Sequence, residues 1–164
     1  WAGLRHIPGP PKIPRHICGY SAVLSEDESK ISMVPITFEE AVYRAVQADP
    51  RYQPAAYSFV RDALHISVKM FRDGEEDQHV TGQEMLQGVL RHGLDEFGPM
   101  ALTILDLWGL QRGEDVGNIV YNLIAVGYFG KNDGDSLSDF AGGFEFKTAF
   151  LEPFVPSSQR GNAS

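Results

Sequence analysis

The densest concentration of side chains able to do chemistry is Arg51, Tyr52, Tyr57 and Arg61, which together with Phe59 surround the start of a predicted helix. Arginine and the aromatic types are enriched in protein interfaces, and a planar guanidinium also suits an anionic small molecule. These residues form a local excess of positive charge in an acidic chain. We read them as a contact for a partner or an anion, against the alternative that the aromatic members are simply core and rim.

A second set lies on the cleanest amphipathic helix in the sequence. Val116, Ile119, Val120, Leu123 and Ile124 recur at helical spacing within 114–126, which leaves Asp115, Asn118, Tyr121 and Asn122 on the outward face with Gly117 and Ala125. Were this a recognition helix, Asn118 and Asn122 could read adenine edges, but none of these positions is basic and nothing there anchors phosphate. Binding to nucleic acid is therefore disfavoured.

Other groupings carry less. His65, His79 and His92 have no Cys or second His at zinc spacing, and His92 shares a face with Asp95 and Glu96 as an acid/base pair or a surface ion pair. Asp133 and Asp135 begin a calcium-loop pattern, yet Leu137 stands where an oxygen ligand is required and no Glu closes the loop, so the segment reads as a solvated loop tip. Gly19-Tyr20-Ser21 lacks the second glycine of a nucleophile elbow, and Cys18 has no placed histidine. No phosphate-cradling glycine motif occurs. No catalytic residue, metal or cofactor is assigned.

The elements that must position these residues follow from capping and periodicity. Residues 1–32 are an extended arm rich in Pro and Gly, and because periodic sequence begins just after Met33 that residue is expected to be the true start. Thr37 and Glu40 at capping-box spacing, with Ile36 and Ala41 as a staple, predict a helix over 38–48, ended by Asp49-Pro50. Pro54 opens a second, reaching about Phe71 along the stripe Ala56, Phe59, Val60, Ala63, Leu64 and Val68. The charged run 72–78 reads as a linker, so 33–78 is a helical pair with an acidic linker. Thr81 and Glu84 form a second capping box for a helix ending at Phe97, and a short helix through Ala101, Leu102, Ile104, Leu105 and Trp108 follows Gly98-Pro99.

After the amphipathic helix, 126–130 and 142–146 read as two strands around a polar loop at 131–139. The expected fold class is mainly α with a small β-hairpin: an N-terminal helical pair plus a winged-helix-like C-terminal lobe over 79–156. Phe150, Leu151, Phe154 and Val155 make a last apolar segment able to cover the core, and 157–164 is a disordered tail.

Charge and composition bound the function. A hydrophobic content of 43% over 164 residues is enough for one proper core, and a net charge of -8 repels polyphosphates and anionic membranes. The acidity is concentrated in 33–164, where ten bases face nineteen acids. A single cysteine excludes an internal disulfide, and no apolar run is long enough for a membrane span, so a soluble, cytoplasmic protein is expected.

The strings Ile36-Thr-Phe-Glu-Glu-Ala-Val-Tyr-Arg44, Ala48-Asp-Pro-Arg-Tyr52, Tyr57-Ser-Phe-Val-Arg61, His79-Val-Thr-Gly-Gln-Glu84 and Phe97-Gly-Pro-Met-Ala101 resemble an uncharacterised bacterial family found mainly in Planctomycetes and Verrucomicrobia. The similarity covers about Val34 to Pro156 and implies a small soluble protein without implying an activity. The leading expectation is a non-catalytic protein–protein interaction module docking on another protein, with a basic one as the natural complement of an acidic chain. Its alternatives are a winged-helix transcriptional regulator and a small enzyme acting on an anionic small molecule.

Overall fold

The first helix, α1 (Phe38–Ala48), begins at Thr37, whose hydroxyl accepts the Glu40 amide at 3.2 Å. The capping box is only half formed, because the Glu40 carboxylate turns one helical turn forward to Arg44, 2.6 Å away. A proline in the first turn starts α2 (Pro54–Phe71), and the full reciprocal box of Thr81 and Glu84 starts α3 (Gly82–Phe97). A 3-10 turn at Gly98–Met100 leads into the short α4 (Ala101–Leu107), which is followed by α5 (Gly113–Ala125) and, after a long loop, α6 (Phe146–Leu151). These positions come from a computed structural model that describes residues 20–22, 33–74, 78–131 and 133–156. Most of the arm at 1–32, Cys18, the middle of the charged linker and the tail from 157 lie outside the described residues.

The chain is mainly helical. Two three-residue strands, β1 (Tyr20–Ala22) and β2 (Met33–Pro35), pair antiparallel ahead of α1, far in sequence from the expected hairpin. At 126–156 no described residue is in a strand, so the winged-helix-like lobe is not formed. Gly127 and Gly142 turn the chain at positive φ, Leu137–Phe140 is a 3-10 turn, and Phe146 opens α6. Phe144 and Phe146 have strand spacing, but Phe146 and Phe150 lie one helical turn apart and both reach the core, so burying that pair favours helix over strand.

Packing also joins the helices on either side of the charged run, which the sequence reads as a linker. The most extensive contact in the fold is between α2 and α3, on either side of 72–78. One buried cluster combines Val42 and Ala45 of α1, Tyr57, Phe59 and Val60 of α2, Leu86 and Val89 of α3, Leu105 of α4, Val116 and Ile119 of α5, and Phe150 of α6.

The α2–α3 crossing depends on Gly88. A methyl group there would lie 2.7 Å from the Ala63 carbonyl oxygen and 1.8 Å from the hydroxyl of the buried Ser67, which donates to that same carbonyl at 2.9 Å. Gly88→Ala is expected to lower unfolding stability by about 1–3 kcal/mol in urea titrations, as overpacking does. Adding Ser67→Ala should recover part of that loss. A Gly88→Ala protein as stable as the parent would show that the helices separate at no cost.

Candidate functional site

The two sets of residues that the sequence analysis kept apart meet in space, where α5 lies against the turn between α1 and α2. Tyr52, at that turn, is 1% exposed and Tyr57 in α2 is fully buried, so their rings belong to the core. Their hydroxyls need partners there. The Tyr52 hydroxyl donates to Asp115 Oδ1 at 2.9 Å and accepts from Asn118 Nδ2 at 3.0 Å. One turn further along α5, Asn122 Nδ2 donates to Asp49 Oδ2 at 3.0 Å and to the Tyr57 hydroxyl at 3.1 Å. Gln53 reinforces the corner from the backbone, its amide donating to the Trp108 carbonyl at 3.1 Å.

Asp115 serves α5 a second time. Its other carboxylate oxygen accepts the backbone amides of Gln111 and Arg112 at 3.0 and 3.1 Å, satisfying donors at the helix start. Asp49 is held from outside by Arg51, whose Nε and Nη2 reach its two oxygens at 2.8 and 2.7 Å in a bidentate pair. The same guanidinium lies over the Tyr52 ring, 5.1 Å from its centre.

These contacts correct both expected surfaces. Tyr52 and Tyr57 are too deeply buried to touch a partner, and Arg51, 63% exposed, commits its Nε and Nη2 to Asp49. Arg61 is separate from the network: it pairs with Asp62 at 2.9 Å and lies 4.2 Å over the Phe38 ring. On α5, Asp115, Asn118 and Asn122 face inward to the turn and not to a ligand. Tyr121 has a buried hydroxyl without a partner among the described residues, and Lys131 sits over its ring at 5.5 Å. Burial raises the Tyr121 pKa, with the negative charges of Asp135 and Asp139 adding to the effect.

The arrangement is structural chemistry. The Tyr52 hydroxyl has both its donor and an acceptor position used, so it is not poised to exchange a proton with a substrate. His92 does not pair with Asp95, which is taken by Arg91 at 2.6 Å; its ring stacks on Phe59 instead, with centres 4.8 Å apart. A cleft of 690 Å³ does open elsewhere, between the start of α3 and the loop after α5, lined by His79, Thr81, Gln83, Asp135, Ser138 and Asp139. Across it, His79 Nε2 stands 3.1 Å from Asp135 Oδ1, and Gln83 donates to the carbonyls of Asp139 and Ala141. Asp135 thus turns to His79, away from the cation geometry its spacing with Asp133 suggested. Among the described residues, no three His, Cys, Asp or Glu side chains are grouped to hold a metal, and no helix is long and apolar enough to cross a membrane.

No protein-family model matches the chain, and no curated protein or solved structure matches it significantly. The functional reading rests on its own geometry.

Two features escaped sequence reasoning. Asp49 was read only as a helix stop, and its role as the shared acceptor of Arg51 and Asn122 spans 73 residues in the latter case. The other is an apolar edge. Met100, at the end of the 3-10 turn before α4, and Leu107 are 56% and 71% exposed, and the half-buried Ile104 stands between them at i, i+4, i+7 spacing. On α6 and the 3-10 turn Glu152–Phe154, Leu151 and Phe154 are 38% and 44% exposed, and α4 and α6 pack on one another. The signal was present in Ala-Leu-Thr-Ile-Leu-Asp-Leu, a helix apolar on both sides, whereas only one side can meet a core.

The polar network has a pH signature. Hydrogen bonds from Arg51 hold the Asp49 carboxyl well below the ordinary carboxylate range, against its partial burial and with help from Asn122. Such a group contributes stability above the unfolded value of about 4, and the contribution is lost as the pH falls below it. Asp49→Asn should therefore be less stable than the parent at pH 7, and the gap should narrow between about pH 4 and 2. A gap that ignores pH would rule out the Asp49 charge as its source. In the alkaline range, burial pushes the Tyr52 hydroxyl up to about 12, with the Asp115 carboxylate acting in the same direction and Asn118 against it. Its contribution is complete below about pH 10 and declines toward 12. Tyr52→Phe should cost about 1–3 kcal/mol at neutral pH by orphaning Asn118 and Asp115. It should also make alkaline unfolding less steep, as followed by circular dichroism.

Proposed function

We propose that the protein is a non-catalytic interaction module that docks on another protein through the α4–α6 edge. The observation that carries this reading is the exposure of Met100, Leu107, Leu151 and Phe154 on α4, on α6 and on the 3-10 turns that adjoin them, α4 and α6 packing together. Single exposed apolar side chains are ordinary, but several on adjoining helices form a surface that gains by being covered. The edge replaces the Arg51–Arg61 cluster as the contact surface, because that cluster is occupied with its own fold. Two further facts favour binding over catalysis: the tyrosines, asparagines and Asp115 that might have done chemistry satisfy one another, and His92 is stacked without a carboxylate.

The test is comparative capture from extract of the source cells, with wild-type protein and Leu107→Glu/Phe154→Glu as baits. Both positions are exposed, so the double variant should melt within a few degrees of the parent. A partner recovered stoichiometrically by the wild type should be lost on the variant, with at least a tenfold fall in affinity once that partner is purified. Equal recovery by both baits, or no partner at the wild-type edge, would end this assignment.

A further inference from the structure

We propose that the occupant of the α4–α6 edge is an amphipathic helix of another protein whose apolar stripe is bordered by Lys and Arg. This rests on the interaction-module reading and adds the chemistry of the partner. Two observations lead to it. The first is shape: Met100, Ile104 and Leu107 recur at i, i+4 and i+7 over about 10 Å of helical rise, and Leu151 and Phe154 are exposed on α6 and its extension, with α6 packed on α4. A pair of packed helices presenting apolar side chains at i, i+3 and i+4 spacing is the surface into which a third amphipathic helix fits.

The second is charge. Segments 95–108 and 145–155, which supply the edge and its flanks, contain Asp95, Glu96, Asp106, Glu145 and Glu152 against the single base Lys147. Asp95 is neutralised by Arg91, but Glu96, Asp106 and Glu152 have no ion pair among the described residues. Elsewhere Arg44, Arg51, Arg61 and Arg72 each meet a carboxylate. An apolar stripe bordered by uncompensated carboxylates is complementary to a basic-rimmed helix. It is unsuited to a second copy of the chain, which would bring the same acids and a net charge of -8 against it.

The probe is an 18-residue Leu/Lys peptide patterned as an amphipathic helix, with a Leu/Glu peptide of the same pattern and a Leu/Lys peptide of scrambled order as controls. Titration calorimetry with the full chain should show the patterned Leu/Lys peptide binding at least tenfold more tightly than either control. Its affinity should fall as salt is raised from 50 to 500 mM. Leu107→Asn/Phe154→Asn, which leaves the net charge unchanged, should weaken it at least tenfold while the melting temperature stays close to the parent's. Glu152→Lys/Asp106→Lys should shift preference toward the Leu/Glu peptide. Unaltered binding by the Asn variant would reduce the effect to nonspecific charge attraction and overturn the proposal. A concentration-dependent dimer that Leu107→Asn/Phe154→Asn abolishes would overturn it in favour of self-association. If a native partner is lost on the Glu double variant but the peptides are bound alike, the interaction reading stands and the basic-helix inference falls; if neither occurs, both fall.

Discussion

Burying the rings of Tyr52 and Tyr57 is costly unless something answers their hydroxyls, and in this fold that requirement is met by side chains of α5 laid against the α1–α2 turn. Tyr52 and Tyr57 supply apolar area to the core, and desolvating an unpaired hydroxyl would offset much of the gain. Asn118 and Asn122, one turn apart on α5, meet the two hydroxyls in register. Asp115 and Asp49 then complete the network, one anchored by the amides that open α5 and the other by Arg51. A polar flank that would otherwise face solvent is thereby turned against the α1–α2 corner, and networks of this kind specify one arrangement because a partly satisfied one is costly.

With α5 set, the chain after it has little freedom. The 3-10 turn Leu137–Phe140 sits on α5 at Gly117, where a methyl group would come within 2.9 Å of the Phe140 ring, and Gln83 of α3 holds the carbonyls of Asp139 and Ala141. Phe140, Phe146 and Phe150 are all buried. This segment closes the core as a strap of turns and one short helix.

The distribution of charge separates scaffold from surface. Most arginines with a described ion pair hold carboxylates on their own or neighbouring elements, several within four residues in sequence, and the exposed pairs Arg44–Glu40 and Arg91–Asp95 add little to stability. Their consequence is electrostatic: the positive charge is spent locally, and the acids around α4 and α6 are left to set the field seen by an approaching molecule. The proposed docking role accordingly rests on plain aliphatic and aromatic residues left uncovered, not on the tyrosines and asparagines engaged in the fold.

The sequence by itself determined the first five helices. The Thr37–Glu40 spacing, the Thr81–Glu84 box, Pro54 at a helix start, and the stripes of α2, α3 and α5 are local signals read within a few turns, and they placed α1 at Phe38–Ala48 and α2 through Phe71 as found. What the tertiary structure decided were pairings between residues more than sixty positions apart, such as Tyr52 with Asn118 and Asp49 with Asn122, which no periodicity encodes. The same holds for the end of the chain, where Phe144, Phe146 and Phe150 fit both a period of two and one of 3.6 until the core supplied a place for the latter two. It holds for α4 as well: its residues are apolar on both faces, and only the packing of α3 and α6 against it decided that Ala101 and Leu105 are covered while Met100 and Leu107 remain open to water. Local propensity is written in neighbouring residues, whereas which polar group is satisfied and which apolar face is left over depends on the elements that arrive from elsewhere in the chain.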